Sequence, residues 1–151
     1  GFFVVFIALS LLLAQIDSAW GRLALLPAPA ALALSLLLLG VTLLVAAASL
    51  QGLGDSWRVG VIEEQQTTLV ESGIYRYSRN PYFLAYLLMF AAYTVLLQSA
   101  LLLGLSAIGF ILVHSMVLRE ERHLAKLHPQ AYREYCQRVP RYLIRQATGT
   151  P

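Results

Sequence analysis

Charge is scarce in this chain: eleven Lys and Arg and eight Asp and Glu make up 13% of its 151 residues. An ordinary soluble domain carries about twice that share, and so little polar surface cannot cover a core of this size in water. Cysteine is nearly absent. The one thiol, Cys136, excludes an intrachain disulfide and a cysteine-based metal pair, and with no base partner legible it reads as a plain thiol. His114, His123 and His128 have no carboxylate or cysteine partners at zinc-like spacing, so no metal is expected. No methionine opens the chain, which is expected to begin inside a longer reading frame or after processing. Its first apolar stretch lacks the basic flank of a signal peptide. The excess of base is only +3, placed beside apolar stretches and not along a soluble face, so nucleic acid is not an expected partner.

What is present in quantity is apolar sequence, 58% of the chain. Four uncharged segments run over about 2–16, 30–50, 82–97 and 101–118. In lipid a backbone must satisfy its own hydrogen bonds, so continuous apolarity over such lengths predicts helices. The predicted fold is all-α, one domain over 1–151: a polytopic membrane bundle of about four transmembrane helices with a C-terminal amphipathic helical tail. Gly104 and Gly109, with Ser106 and Ala107 between them, are expected to let helices approach closely. His114, inside the fourth segment, is a functional candidate by its intramembrane position or else a neutral core histidine.

The connectors differ. Residues 17–29 form a short turn with Trp20 as an interfacial anchor, and Gln98-Ser99 is a bare hairpin turn, whereas 51–81 and 119–145 are long and polar. Arg58, Arg76, Arg79, Arg119, Arg122, Lys126, Arg133, Arg138, Arg141 and Arg145 all lie in these two long segments, and only Arg22 lies opposite. The positive-inside bias places both in the cytoplasm. In the tail, 118–127 continues the fourth helix, His128-Pro129 breaks it, and 130–138 forms a second helix. Its Tyr132 and Tyr135, three apart, share a face, as anchors at the membrane interface or as a lid over a ligand.

Two polar knots carry the chemistry. In the first, Gly73 opens backbone conformations closed to other residues and lets a ligand near the main chain. Asn80-Pro81 reads as a helix start with Asn80 as the N-cap. In the second, Glu120-Glu121 lies toward the C-terminal end of a helix, where the macrodipole favours cations. Either Arg119 and Arg122 compensate the pair, or a cationic ligand does.

Read in order, Leu69-Val70-x-x-Gly73-x-Tyr75-Arg76-x-x-Arg79-Asn80-Pro81-x-Phe83, then Glu120-Glu121-x-x-Leu124, then Tyr132-x-x-Tyr135-x-x-x-Val139-Pro140, resembles the integral-membrane isoprenylcysteine carboxyl methyltransferase and phospholipid methyltransferase family. The likeness spans about residues 53–142. It implies S-adenosylmethionine bound on the cytoplasmic side of a small helical bundle. By likeness Gly73 and Tyr75 line the adenosine side, Arg79 and Asn80 hold polar groups of the cofactor, Glu120 or Glu121 meets its amino group, and Val70 and Tyr82 belong to the same cofactor-binding set. The chain departs from the family at Asn80, where histidine is usual, at Phe83 for tyrosine and at Ala85 for glycine. Asn80 still donates and accepts hydrogen bonds but carries no proton at neutral pH.

Methyl transfer from a sulfonium is an in-line displacement, so an enzyme mainly positions two reactants and excludes water. A carboxylate acceptor needs a guide, for which Arg119, Arg122 and Arg133 are candidates by bidentate pairing. An amine acceptor needs a base, for which Glu120, Glu121 and His123 are candidates. The expected catalytic set is Glu121, Arg119 and Arg133. The acceptor is a lipophilic small molecule or membrane lipid entering between spans, with the cofactor arriving from water. Two other readings stand beside this one: a sterol-type membrane reductase using NADPH, which the tail Tyr132-Arg133-Glu134-Tyr135-Cys136 also resembles, and a non-catalytic membrane scaffold.

Overall fold

A computed structural model of the chain describes residues 2–15, 23, 25–54 and 69–143. The expected turn at 17–22 with Trp20 and Arg22, the connector stretch 55–68 with Arg58, and the tail from 144 with Arg145 lie outside the described residues.

Among the described residues the chain is all-helical and has no strand. The helices are α1 (Phe2–Gln15), α2 (Ala28–Leu53), α3 (Pro81–Leu97), α4 (Ala100–Leu127) and α5 (Pro129–Arg138), with a 3-10 turn at Gly73–Arg76. Each predicted segment is a helix. α2 begins earlier than expected because Ala31 N–H bonds to Pro27 O at 2.9 Å, and Pro29 is tolerated in a first turn that has no need of its N–H. α2 and α4 are long and apolar enough to cross a membrane, and only 17% and 22% of their apolar windows are buried within the chain. Leu37, Leu43, Leu44 and Ile111 are all more than 60% exposed, which suits lipid as the surrounding solvent. α1 and α3, with 14 and 17 residues, are shorter than the roughly 20 that a span needs.

The chain forms two compact units, Gly1–Leu43 with Ala85–Ser115, and Leu44–Leu84 with Met116–Pro151; α2, α3 and α4 each contribute to both. In the first unit Phe6 and Phe90 are buried with ring centroids 4.7 Å apart, and Phe3 stacks on Tyr86 at 4.2 Å. Gly109 lies against this cluster: a Cβ there would come 2.6 Å from Phe90 Cε2. Gly104 has open space in the same place, so only one of the two expected glycines serves close approach. Gln98-Ser99 is not a bare turn. Gln98 takes φ +44°, and its side-chain amide accepts from Leu26 N–H at 2.8 Å and donates to Leu26 O at 2.9 Å. His114 stacks on Phe110 one turn earlier, with centroids 5.7 Å apart.

The second unit buries tyrosine. Tyr75, Tyr132 and Tyr135 are at most 7% exposed, and Tyr135 O–H donates to Tyr75 O at 2.7 Å. The interfacial-anchor reading of α5 is therefore corrected: its two tyrosines share a face as expected, but that face packs inward with Leu69, Leu124 and Val139. Pro129 occupies the first turn of α5, as its locked φ and missing N–H favour. Gly52 lets the Tyr75 ring approach, since a Cβ there would lie 3.1 Å from it. Gly73, at φ +59°, starts the 3-10 turn that carries Tyr75 inward.

Candidate functional site

The second unit folds its polar sequence around one carboxylate. Glu121 is 8% exposed. Its Oε1 accepts from Asn80 Nδ2 at 3.0 Å and Arg141 Nε at 3.1 Å, and Arg79 Nη2 lies 3.3 Å away. Its Oε2 accepts from Arg141 Nη2 at 2.8 Å and Nε at 3.0 Å. A carboxylate has about four acceptor sites, so this one is saturated. Adjacent residues on a helix point about 100° apart, and only Glu121 of the pair enters the cluster; Glu120 is half-buried outside it.

A short strap at 139–142 closes over the first knot. Arg79 N–H donates to Pro140 O at 2.9 Å, while Ser78 Oγ and Asn80 Nδ2 donate to Arg141 O at 3.2 and 3.3 Å. Asn80 departs from the expected cap. Its carbonyl receives the first helical bond, from Leu84 N–H at 3.0 Å, but its amide donates to Glu121 and the strap.

Two hollows flank α5. One, of about 500 Å³, is lined by Arg79, Leu118, Glu121, Arg122, Ala125, Tyr132, Cys136 and Arg141. The other, of about 680 Å³, is bordered by Leu53, Leu69, Val70, Glu71, Arg76 and Arg138, with Arg138 paired to Glu71 at 2.6 Å. The expected cofactor residues are thus divided. Arg79 and Glu121 line the first hollow, with Asn80 bonded to Glu121 behind it, and Val70 lines the second. Tyr75 is buried in the core. Gly73 is exposed, and Tyr82 is half-buried with its ring near Phe83. Arg119 and Arg133 are both exposed and line neither hollow.

Burial governs the titration of this unit. The Tyr75 hydroxyl is pushed from 10.0 up to about 12 by desolvation. Tyr132 and Tyr135 are raised further, mainly by burial, then by Glu121 for Tyr132 and by Glu71 for Tyr135. Arg141 is held more firmly cationic, chiefly by its hydrogen bonds to Glu121. Arg141 is the member of the cluster that sequence reasoning missed, having been read only as a positive flank. Cys136, read as a plain thiol, lines the hollow and receives Arg79 Nη1.

Among the described residues the chain is all-helical with two helices long and apolar enough to span a membrane, and one family comparison says what it is similar to. The phospholipid methyltransferase family profile matches residues 30–131, more than half of the chain. The chain belongs to the phospholipid methyltransferase family. That match covers the Arg79-Asn80-Pro81 and Glu120-Glu121 blocks and stops inside α5, before Cys136 and Arg141. Membership makes the protein a membrane methyltransferase in the broad sense. No curated protein and no solved structure matches the chain.

Proposed function

We propose that this chain transfers a methyl group from S-adenosylmethionine to a lipophilic, membrane-associated acceptor at the cytoplasmic face of a membrane. The observation that carries the proposal is the buried Glu121, held by Arg79, Asn80 and Arg141 beside a hollow of about 500 Å³. The hollow's chemistry suits a zwitterion with an apolar part: three arginines and a glutamate share its wall with Leu118, Ala125 and the Tyr132 ring. When bound, the cofactor supplies the electrophilic methyl group; the chain supplies position and a dry wall. Arg79 and Glu121 are the residues best placed to hold it. Because Glu121 is saturated, a ligand ammonium would reach it only by replacing Arg141. The family's name makes a phospholipid the first acceptor to test. Arg76, Arg79, Arg119, Arg122, Arg133 and Arg138, after α2 and toward the end of α4 and beyond, support the cytoplasmic orientation and a multi-pass path.

The test is ligand stabilisation of the purified full chain. S-adenosylhomocysteine is expected to raise its unfolding temperature, and NADPH to leave it unchanged. Stabilisation by NADPH alone would transfer the site to reductase chemistry. Stabilisation by neither would favour a scaffold.

A further inference from the structure

The hollow beside Glu121 has the opposite polarity to the one its paired glutamates imply. Its wall holds three guanidiniums, Arg79, Arg122 and Arg141, against a single carboxylate. That carboxylate is already occupied by Asn80, Arg79 and Arg141, so a ligand cation gains it only by displacing one of them. Two donors are left over in the same wall: Arg79 Nε–H and the Tyr132 hydroxyl are buried without a hydrogen-bond partner. Tyr132 is only 5% exposed; its hydroxyl has the Cys136 thiol as a hydrogen-bonding neighbour, but sulfur is a weak acceptor and no oxygen or nitrogen accepts from the phenol. Buried polar groups are normally paired, and each orphan calls for an explanation. Both orphans here can donate, and neither needs a cation.

We propose that this hollow is an oxyanion receptor. It takes the carboxylate or phosphate of an amphiphilic ligand, with Tyr132 O–H and Arg79 Nε–H donating at its wall and Arg122 at its rim. Leu118 and Ala125 receive the ligand's apolar part. The inference rests on reading the hollow as the ligand site of a methyltransferase, and it reverses the sign of the group that enters first. Such an oxyanion has two sources: the carboxylate of the methyl donor's amino-acid moiety, or the phosphate of a lipid headgroup.

Tyr132→Phe keeps the ring and deletes only the unpaired hydroxyl, and Arg122→Gln removes an exposed charge. Dissociation constants are measured for the full chain and both variants in phosphate-free detergent, with two pairs of probes. One pair is S-adenosylhomocysteine and its decarboxylated counterpart; the other is dihexanoyl phosphatidic acid and dihexanoylglycerol. In at least one pair the wild type is expected to prefer the acid-bearing member by about tenfold, the scale of a hydrogen bond to a charged group. Each substitution is expected to reduce that preference. Preference within the first pair assigns the site to the cofactor carboxylate, and preference within the second assigns it to lipid phosphate. If S-adenosylhomocysteine fails to bind while the phosphatidic acid preference appears, the proposed function falls and the oxyanion site stands. Binding of S-adenosylhomocysteine with no preference in either pair, or a preference that survives both substitutions, overturns the oxyanion site and leaves the proposed function in place. Binding of no probe overturns both.

Discussion

The two units bury polar groups in different ways. In the first, the buried serines settle their hydroxyls within their own helix: Ser10 Oγ donates to Phe6 O at 2.8 Å and Ser35 Oγ to Leu32 O at 2.9 Å. In the second, Ser49 does the same, donating to Val45 O at 2.6 Å, but Ser78, Asn80 and Glu121 are satisfied by partners 20 to 63 residues away in the chain. Local satisfaction suits a helix in lipid, where no backbone or hydroxyl group can wait for a distant partner. Distant satisfaction creates a specific three-dimensional arrangement with charge inside it, which is what a ligand site requires. The contrast places the apolar scaffold and the chemistry in separate stretches of the same helices.

The contrast breaks most severely at Glu121. Replacing it with leucine leaves Arg79 and Arg141 without their shared carboxylate, and removal of one partner from a buried pair costs about 3–5 kcal/mol. Thermal unfolding of Glu121→Leu should show this loss. The Glu121 side chain holds the strap as well as the site, through Arg141. In the first unit the comparable lesion is steric. Gly109→Ala drives a methyl into the Phe90 ring, and overpacking of this kind costs about 1–3 kcal/mol. A denaturation midpoint equal to wild type would show that the Phe cluster yields freely.

A third prediction concerns alkaline pH. The unfolded chain releases its tyrosine protons near 10.0, whereas Tyr75 keeps its proton to about 12 and Tyr132 and Tyr135 keep theirs beyond the ordinary range. Between these values the folded state binds more protons, so stability falls as pH rises above 10. The stabilising contribution is intact below pH 9. Tyr135→Phe should flatten the decline in a pH series of melting temperatures; an unaltered slope would exclude that hydroxyl from the linkage. The smallest effect belongs to Glu71→Gln. It removes a pair whose arginine side chain is 62% exposed, and exposed pairs contribute about 0–1 kcal/mol. Set beside Glu121→Leu, it measures how much burial adds to a bridge within one unit.

The scaffold was legible because uninterrupted apolarity has one outcome in lipid, and α1 to α4 lie where that pattern puts them. The site was legible in part. Arg79-Asn80-Pro81 and Glu120-Glu121 stand out as polar blocks at helix ends, yet their spacing does not say which glutamate turns inward. Helix phase does: Glu121 lies four residues after the fully buried Val117, while Glu120 lies four after the exposed Met116. Arg141 had no such periodic signal. It reaches Glu121 from an irregular strap whose carbonyls accept from Arg79 N–H and from the Ser78 and Asn80 side chains, and pairings of that kind leave no pattern in the sequence. The spacing of the α5 tyrosines puts them on one face but leaves open whether that face anchors at a membrane surface or closes inward, because a 10-residue amphipathic helix suits both; burial excludes the first.

Whether the Glu121 hollow serves methyl transfer is tested most directly by following the methyl group itself. The purified chain is reconstituted in phospholipid vesicles with S-adenosylmethionine labelled on its methyl, and the lipid and aqueous fractions are counted. Label entering the lipid fraction, and lost in Arg79→Gln protein that still folds, is the predicted result. Label remaining wholly in the aqueous fraction across phospholipid headgroup classes, with no stabilisation of the protein by S-adenosylhomocysteine, would contradict it.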